Sequence, residues 1–140
     1  MIHYFFENIN PIDISAQHSK WLENIILSEN KKLGTITYIL CDDDYLLTVN
    51  QDFLQHDYYT DIITFDYVKG KTISGDIFVS LPRISDNATS LSKNFEEEFS
   101  RVLAHGILHL CGYKDKTVAE QTEMRSKEDF YLSKFGENNH

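Results

Sequence analysis

Residues 104–115 read AHGILHLCGYKD, and this stretch carries most of what the chain reveals about itself. From Val102 to Cys111 every residue except Gly106, His105 and His109 is apolar. A helix that is apolar nearly all round belongs at the centre of a fold. Histidines four apart on a helix lie on one side, separated by ~40° and ~6 Å of rise. Both can then reach one metal ion at ~2.0–2.1 Å. Polar rings on a buried helix must find partners, so the competing reading is two core histidines bonded to backbone carbonyls. Gly112 suits the position after a helix end, where a left-handed turn reverses the chain. Asp115 follows three residues later, which completes the pattern H-x-x-x-H-x-x-G-x-x-D. Read as metal ligands, His105, His109 and Asp115 leave a fourth position open, as catalytic zinc sites do. The other role for Asp115 is to cap the last helix, although Thr117 is the more obvious cap.

Gly106 points to what the site is not. Zinc peptidases of the H-E-x-x-H type carry their general base directly after the first histidine, and here that place is a glycine. A mid-helix glycine costs about 1 kcal/mol against alanine, so space is expected to be wanted beside the metal.

Around this stretch the sequence predicts an α+β fold. The segment IHYFF (residues 2–6) is a predicted strand. Apolar residues from Ile14 to Leu27 recur at helical spacing, with Asp13 as the expected N-cap. Gly34 breaks the pattern, and TITYILC (35–41) reads as a second strand. The DDD run at 42–44 supplies a cap and first-turn acids for a helix to about Leu54. DIITFDY and TISGDIFVS read as strands joined at the VKGK turn. A short helix after Pro82, a long one from about Asn94 to Cys111, and an amphipathic one from Val118 to Lys134 complete the reading. The whole is a small mixed sheet of about four strands packed with about five helices around the histidine helix. With 140 residues and no repeat or linker, residues 1–140 are expected to form one domain.

Bulk properties narrow the setting. The chain is 41% apolar and 25% charged, which places it among globular proteins. MIHYFFENIN lacks the basic region and apolar core of a signal peptide, and no apolar run approaches the ~20 residues of a membrane helix. Cys41 and Cys111 read as buried free thiols, consistent with a reducing cytoplasm. The net charge of −9 argues against a protein that coats nucleic acid without selectivity. A local basic rim remains compatible with it, with Lys69 and Lys71 flanking one turn and Lys114 and Lys116 bracketing Asp115.

At this point the chain resembles a known family. HGILHLCGYKD is similar to the HGxLHLxGYDH signature of the YbeY family, bacterial endoribonucleases of ribosomal RNA maturation. TDIITF (60–65) resembles that family's TDVLSF strand, GDIFVS (75–80) its GDIxIS strand, and MRSKEDFYL (124–132) its closing helix. The resemblance implies a zincin-like hydrolase domain holding one Zn²⁺ per chain. It implies a zinc-dependent endoribonuclease for single-stranded RNA, at work at the 3′ end of small-subunit ribosomal RNA and in ribosome quality control. Its partners would be RNA and the small ribosomal subunit, not DNA or membrane.

Two departures matter. The family's third histidine falls on Asp115, and the arginine that the family usually carries before TDVLSF falls on Leu54. His56 is one substitute for that arginine. Arg101, one turn before His105 on the same helix face, is a better one, unless it pairs with Glu97 or Glu98 at the surface. The catalytic set expected on this basis is Arg101, His105 and His109. Asp115 adds one negative charge to the ligands relative to three histidines, which weakens the metal as a Lewis acid and favours harder ions such as Mn²⁺ somewhat more. A second reading stays open: a ribosome-assembly factor that binds RNA or protein and uses zinc only structurally.

Overall fold

A computed structural model describes residues 1–138. In chain order the elements are β1 (Ile2–Glu7), α1 (Ala16–Ser28), β2 (Lys32–Cys41), α2 (Asp43–Leu54), β3 (Ile62–Asp66), β4 (Thr72–Ser80), α3 (Leu81–Ser90), α4 (Phe95–Leu110) and α5 (Val118–Asn138). The four strands form one mixed sheet in the order β1-β2-β4-β3. β1, β2 and β4 run parallel, and β3 closes one edge antiparallel to β4. The predicted turn between β3 and β4 is a hairpin closed by a Lys69–Thr72 bridge.

Alternation along the strands sorts side chains onto the two faces. Ile36, Tyr38 and Leu40 of β2 with Ile73, Ile77 and Val79 of β4 face the main core, beneath α1 and α4. Cys41, Ile63, Phe65 and Phe78 point the other way and pack against Leu46 and Val49 of α2. The histidine helix α4 is central, as its composition predicts: Phe99, Leu103, Ala104, Ile107 and Leu108 are buried. The buried Tyr38 hydroxyl donates to the Leu103 carbonyl at 2.7 Å and pins the middle of α4 to the sheet.

Three local expectations are corrected. The N-cap of α1 is Ser15, not Asp13: its hydroxyl accepts from the His18 N–H at 3.4 Å. β2 starts at Lys32 and runs through Gly34, the pairing shifting register between Leu33 and Ile36. Cys111 is half-buried where burial was expected, whereas Cys41 is buried; both are free thiols. No described helix is long and apolar enough to cross a membrane.

Candidate metal centre

The ends of α4 and α5 place the three candidate ligands. Asn94 caps α4, accepting from the Glu97 N–H at 2.8 Å, and Glu96, Glu97 and Glu98 occupy the positive first turn. At the far end Gly112 has φ +111, a region disfavoured for residues with a side chain. Its N–H donates to the His109 carbonyl at 3.0 Å, and the Tyr113 N–H donates to Leu108 at 3.1 Å. This is a Schellman end, which turns the chain back toward the helix it has just left. Thr117 and Glu120 then close a reciprocal capping box on α5, at 3.1 and 2.9 Å. Thr117 therefore does the capping, and Asp115 is left to face the histidines.

The three side chains converge. Asp115 Oδ2 lies 3.2 Å from His105 Nε2 and 3.3 Å from His109 Nε2. One ligand atom from each of the three lies within 4.8 Å of the others. Corners of a tetrahedron ~2.0–2.1 Å from a common ion are about 3.3–3.4 Å apart, so the carboxylate already stands at coordinating separation from both rings. Two neutral imidazoles and a carboxylate are also a donor set that zinc and similar ions accept. The residues present fit a divalent ion.

Behind His105 stands Glu128 of α5, which the spacing of the sequence does not single out. Its Oε2 lies 2.6 Å from His105 Nδ1, so the ring is held with Nε2 turned toward Asp115. Glu128 is 5% exposed, and a carboxylate that deep needs a counter-charge. Arg101 supplies it, donating to Glu128 Oε1 at 2.8 Å and to Asp129 Oδ1 at 2.6 Å. Arg101 lines the same cleft as the ligands, but both ends of its guanidinium are engaged by α5 acids rather than by Glu97 or Glu98.

The electrostatics favour a cation. Burial pulls the His105 imidazolium down, yet the hydrogen bond and charge of Glu128, with Asp115 and Asp61, outweigh burial and leave His105 above its ordinary value. Burial pushes Glu128 up, while His105 and Arg101 together hold it below the usual carboxylate range. Asp61, at the start of the TDIITF segment, is raised mainly by burial. Glu98, two turns before His105, is raised mainly by burial too, and its buried Oε1 has no hydrogen-bond partner among the described residues.

Ligands and acids share a cleft of about 860 Å³. His105 and His109 are 20% and 30% exposed at the side chain, open enough to be reached from that cleft. Leu54 and His56, the two positions raised by the missing arginine, also line it, with Tyr58 and Thr60. Gly106 does not open space beside the ligands. A Cβ there would meet Ile77 Cδ1 and Cγ2 at 3.0 Å and Ile62 Cδ1 at 3.2 Å, so the glycine lets α4 press onto the sheet.

The profile of the endoribonuclease YbeY family matches residues 5–136. The chain belongs to this family. Among its relatives, an endoribonuclease YbeY of Flavobacterium johnsoniae is 52% identical over 135 residues, spanning 96% of this chain and 97% of the relative. That of Flavobacterium psychrophilum is 49% identical, covering 96% of each chain. That of Bacteroides thetaiotaomicron is 45% identical over 94% of this chain and 97% of its own. A solution structure of a Thermotoga maritima protein superposes with a TM-score of 0.72 at 29% identity, over 99% of this chain and 92% of the other. The α+β fold expected from the sequence is the one observed.

Proposed function

We propose that this chain is a metal-dependent endoribonuclease that cuts single-stranded RNA, with zinc as its ion and His105, His109 and Asp115 as the ligands. The observation that carries the reading is the convergence of those three side chains at coordinating separation, in an open cleft of a chain that belongs to the endoribonuclease YbeY family. A divalent ion held there supplies Lewis acidity toward a phosphoryl oxygen and makes water more acidic.

The protein's own part is orientation. Glu128 fixes the tautomer and angle of His105, a partnership that raises ligand basicity. Arg101 neutralises Glu128 and is engaged twice over, so it acts as a positioning residue behind the histidine rather than as a group touching the phosphate. His105 and His109 serve catalysis as ligands. The resemblance drawn from the sequence also carries ribosomal RNA as substrate, the small ribosomal subunit as partner, a cytoplasmic setting and a single domain over residues 1–140.

The test is cleavage of a labelled single-stranded oligoribonucleotide by chelator-stripped protein, with Zn²⁺, Mn²⁺ or Mg²⁺ returned one at a time. Cleavage should vanish on stripping and return with Zn²⁺, and His109→Ala should stay inactive with every ion. Cleavage that persists in His109→Ala rejects the reading. A folded, metal-loaded chain that binds RNA and never cuts it is the non-catalytic assembly factor instead.

A further inference from the structure

RNA presents a phosphate backbone, and the cleft that would receive it is rich in acids: Asp61, Glu98, Asp115 and Glu128. Arg101, the cation nearest the histidines along α4, is committed to Glu128 and Asp129. Two other cations line the cleft, Lys116 and Arg125. Both are exposed, and among the described residues neither side chain has an ion-pair or hydrogen-bond partner. Lys116 directly follows the ligand Asp115. Arg125 sits three residues before Glu128, and so on the same side of α5.

The same cleft is also lined by exposed rings held in place. His56 and Tyr58 stack with centroids 5.1 Å apart and planes 21° apart, and the Tyr58 hydroxyl meets His56 Nδ1 at 3.0 Å. Tyr58 remains 56% exposed. The backbone beneath them is clamped: the buried Asn50 side-chain amide donates to the Tyr58 carbonyl at 2.9 Å, and the Asn50 backbone carbonyl accepts from the His56 N–H at 3.1 Å. On the far side Tyr59 donates to Asp44 at 3.1 Å and lies under the Arg83 guanidinium. An aromatic pair left open to water yet fixed from below is pre-organised for a flat ligand.

We propose that these residues line a single-strand groove, in which Arg125 and Lys116 hold the sugar–phosphate backbone and the His56–Tyr58 pair stacks on a nucleobase. The inference rests on the endoribonuclease reading and says how that substrate is held. Cations that follow the backbone, combined with aromatic faces for the bases, are how proteins bind single strands without reading sequence. A duplex keeps its bases stacked on each other and cannot offer one to the pair, so the groove selects unpaired RNA.

Binding separates this from catalysis. Fluorescence anisotropy of a labelled single-stranded oligoribonucleotide is measured in EDTA over a range of salt, with an oligonucleotide carrying an abasic tract in parallel. Arg125→Ala should weaken binding about fivefold to tenfold and lower the slope of log K against log salt by about 0.7, one phosphate contact on a single strand. Arg125→Lys should restore that slope. Tyr58→Ala should weaken binding at least about fivefold on the normal strand and leave the abasic one unchanged. Both side chains are exposed, so thermal melts should match the wild type. An unchanged salt slope in Arg125→Ala, equal losses on both oligonucleotides in Tyr58→Ala, or a wild-type chain that does not bind the strand overturns the groove. Failure to cleave with metal present, while these binding results hold, overturns the enzyme reading and leaves the groove standing.

Discussion

Glu128 decides which nitrogen of His105 is offered to an ion, and it does so from another helix. Its carboxylate takes Nδ1 at 2.6 Å, so Nε2 alone faces Asp115. Replacing Glu128 with Gln leaves the shape and removes the charge. Metal affinity should fall about 10- to 100-fold, as measured by competition with a chelating dye, while the fold persists. Asp115 is the other residue whose chemistry can be tuned. Substituting it with His removes one negative charge from the ligand set, strengthens the ion as a Lewis acid, and should move the pH–rate profile of RNA cleavage to lower pH; an unmoved profile would count against Asp115 as a ligand. His105, His109 and Asp115 are legible in the sequence because helix periodicity and one glycine dictate their meeting. Glu128 and the double engagement of Arg101 are not, because they depend on how α5 packs across α4, 23 and 27 residues away in the chain.

Helix α4 shows what an element's ends and faces contribute. Its start at Asn94 and its end at Gly112 follow from local chemistry, and both are observed where the residues predict them. Gly106 requires the sheet before it can be understood, since only the neighbouring Ile77 and Ile62 reveal what the missing Cβ avoids. Gly106→Ala gains about 1 kcal/mol of helix propensity but crowds the Ile77 and Ile62 side chains, which must shift to admit the new methyl. Over-packing of this kind costs about 1–3 kcal/mol, so a urea melt should show a net loss or at best no gain. The N-cap of α1 escapes sequence reasoning for a local reason: Asp13 and Ser15 are both good cap residues, and helical spacing alone does not rank them.

A second tie between elements sets an acid limb of stability. Glu29, just after α1, accepts from Tyr113 at 2.6 Å and from Tyr131, with Lys127 at 3.4 Å. Burial raises its carboxyl, but these partners outweigh burial and hold it below the ordinary value. The folded chain therefore gives up this proton more readily than the unfolded one. Its stabilisation is present above about pH 4.3–4.5 and fades as pH falls through the folded pKa. Glu29→Gln should cost about 1–3 kcal/mol at pH 7, and in an acid denaturation series the gap to wild type should narrow as pH falls below about 4.3–4.5 and close once the folded carboxyl is protonated. A gap independent of pH would show that Glu29 acts by packing alone.

At the scale of the molecule, the fold brings three distant segments to one cleft: the end of α2 with the strand β3, the face of α4, and the turn into α5. Strands and helices were legible one by one from periodicity and turn residues. The sheet order β1-β2-β4-β3 was not, because parallel crossovers leave no local mark of which strand lies beside which. The same holds for His56 and Tyr58, whose place in a cleft that α5 also lines is purely tertiary. Because the ligands come from a helix and from the loop beyond it, ion binding couples to folding. Returning Zn²⁺ to the stripped chain at 100 times its dissociation constant should add about 2.7 kcal/mol of stability, visible as a higher Tm in the wild type and absent in His109→Ala.

The most direct measurement is the elemental content of the purified chain beside its Asp115→Ala variant. The expected result is about one divalent transition ion per wild-type chain, the stoichiometry of a single tetrahedral site, and substantially less in the variant. A wild-type chain free of such ions after purification without chelator, or a variant that holds as much as the wild type, contradicts the metal centre and the chemistry built on it.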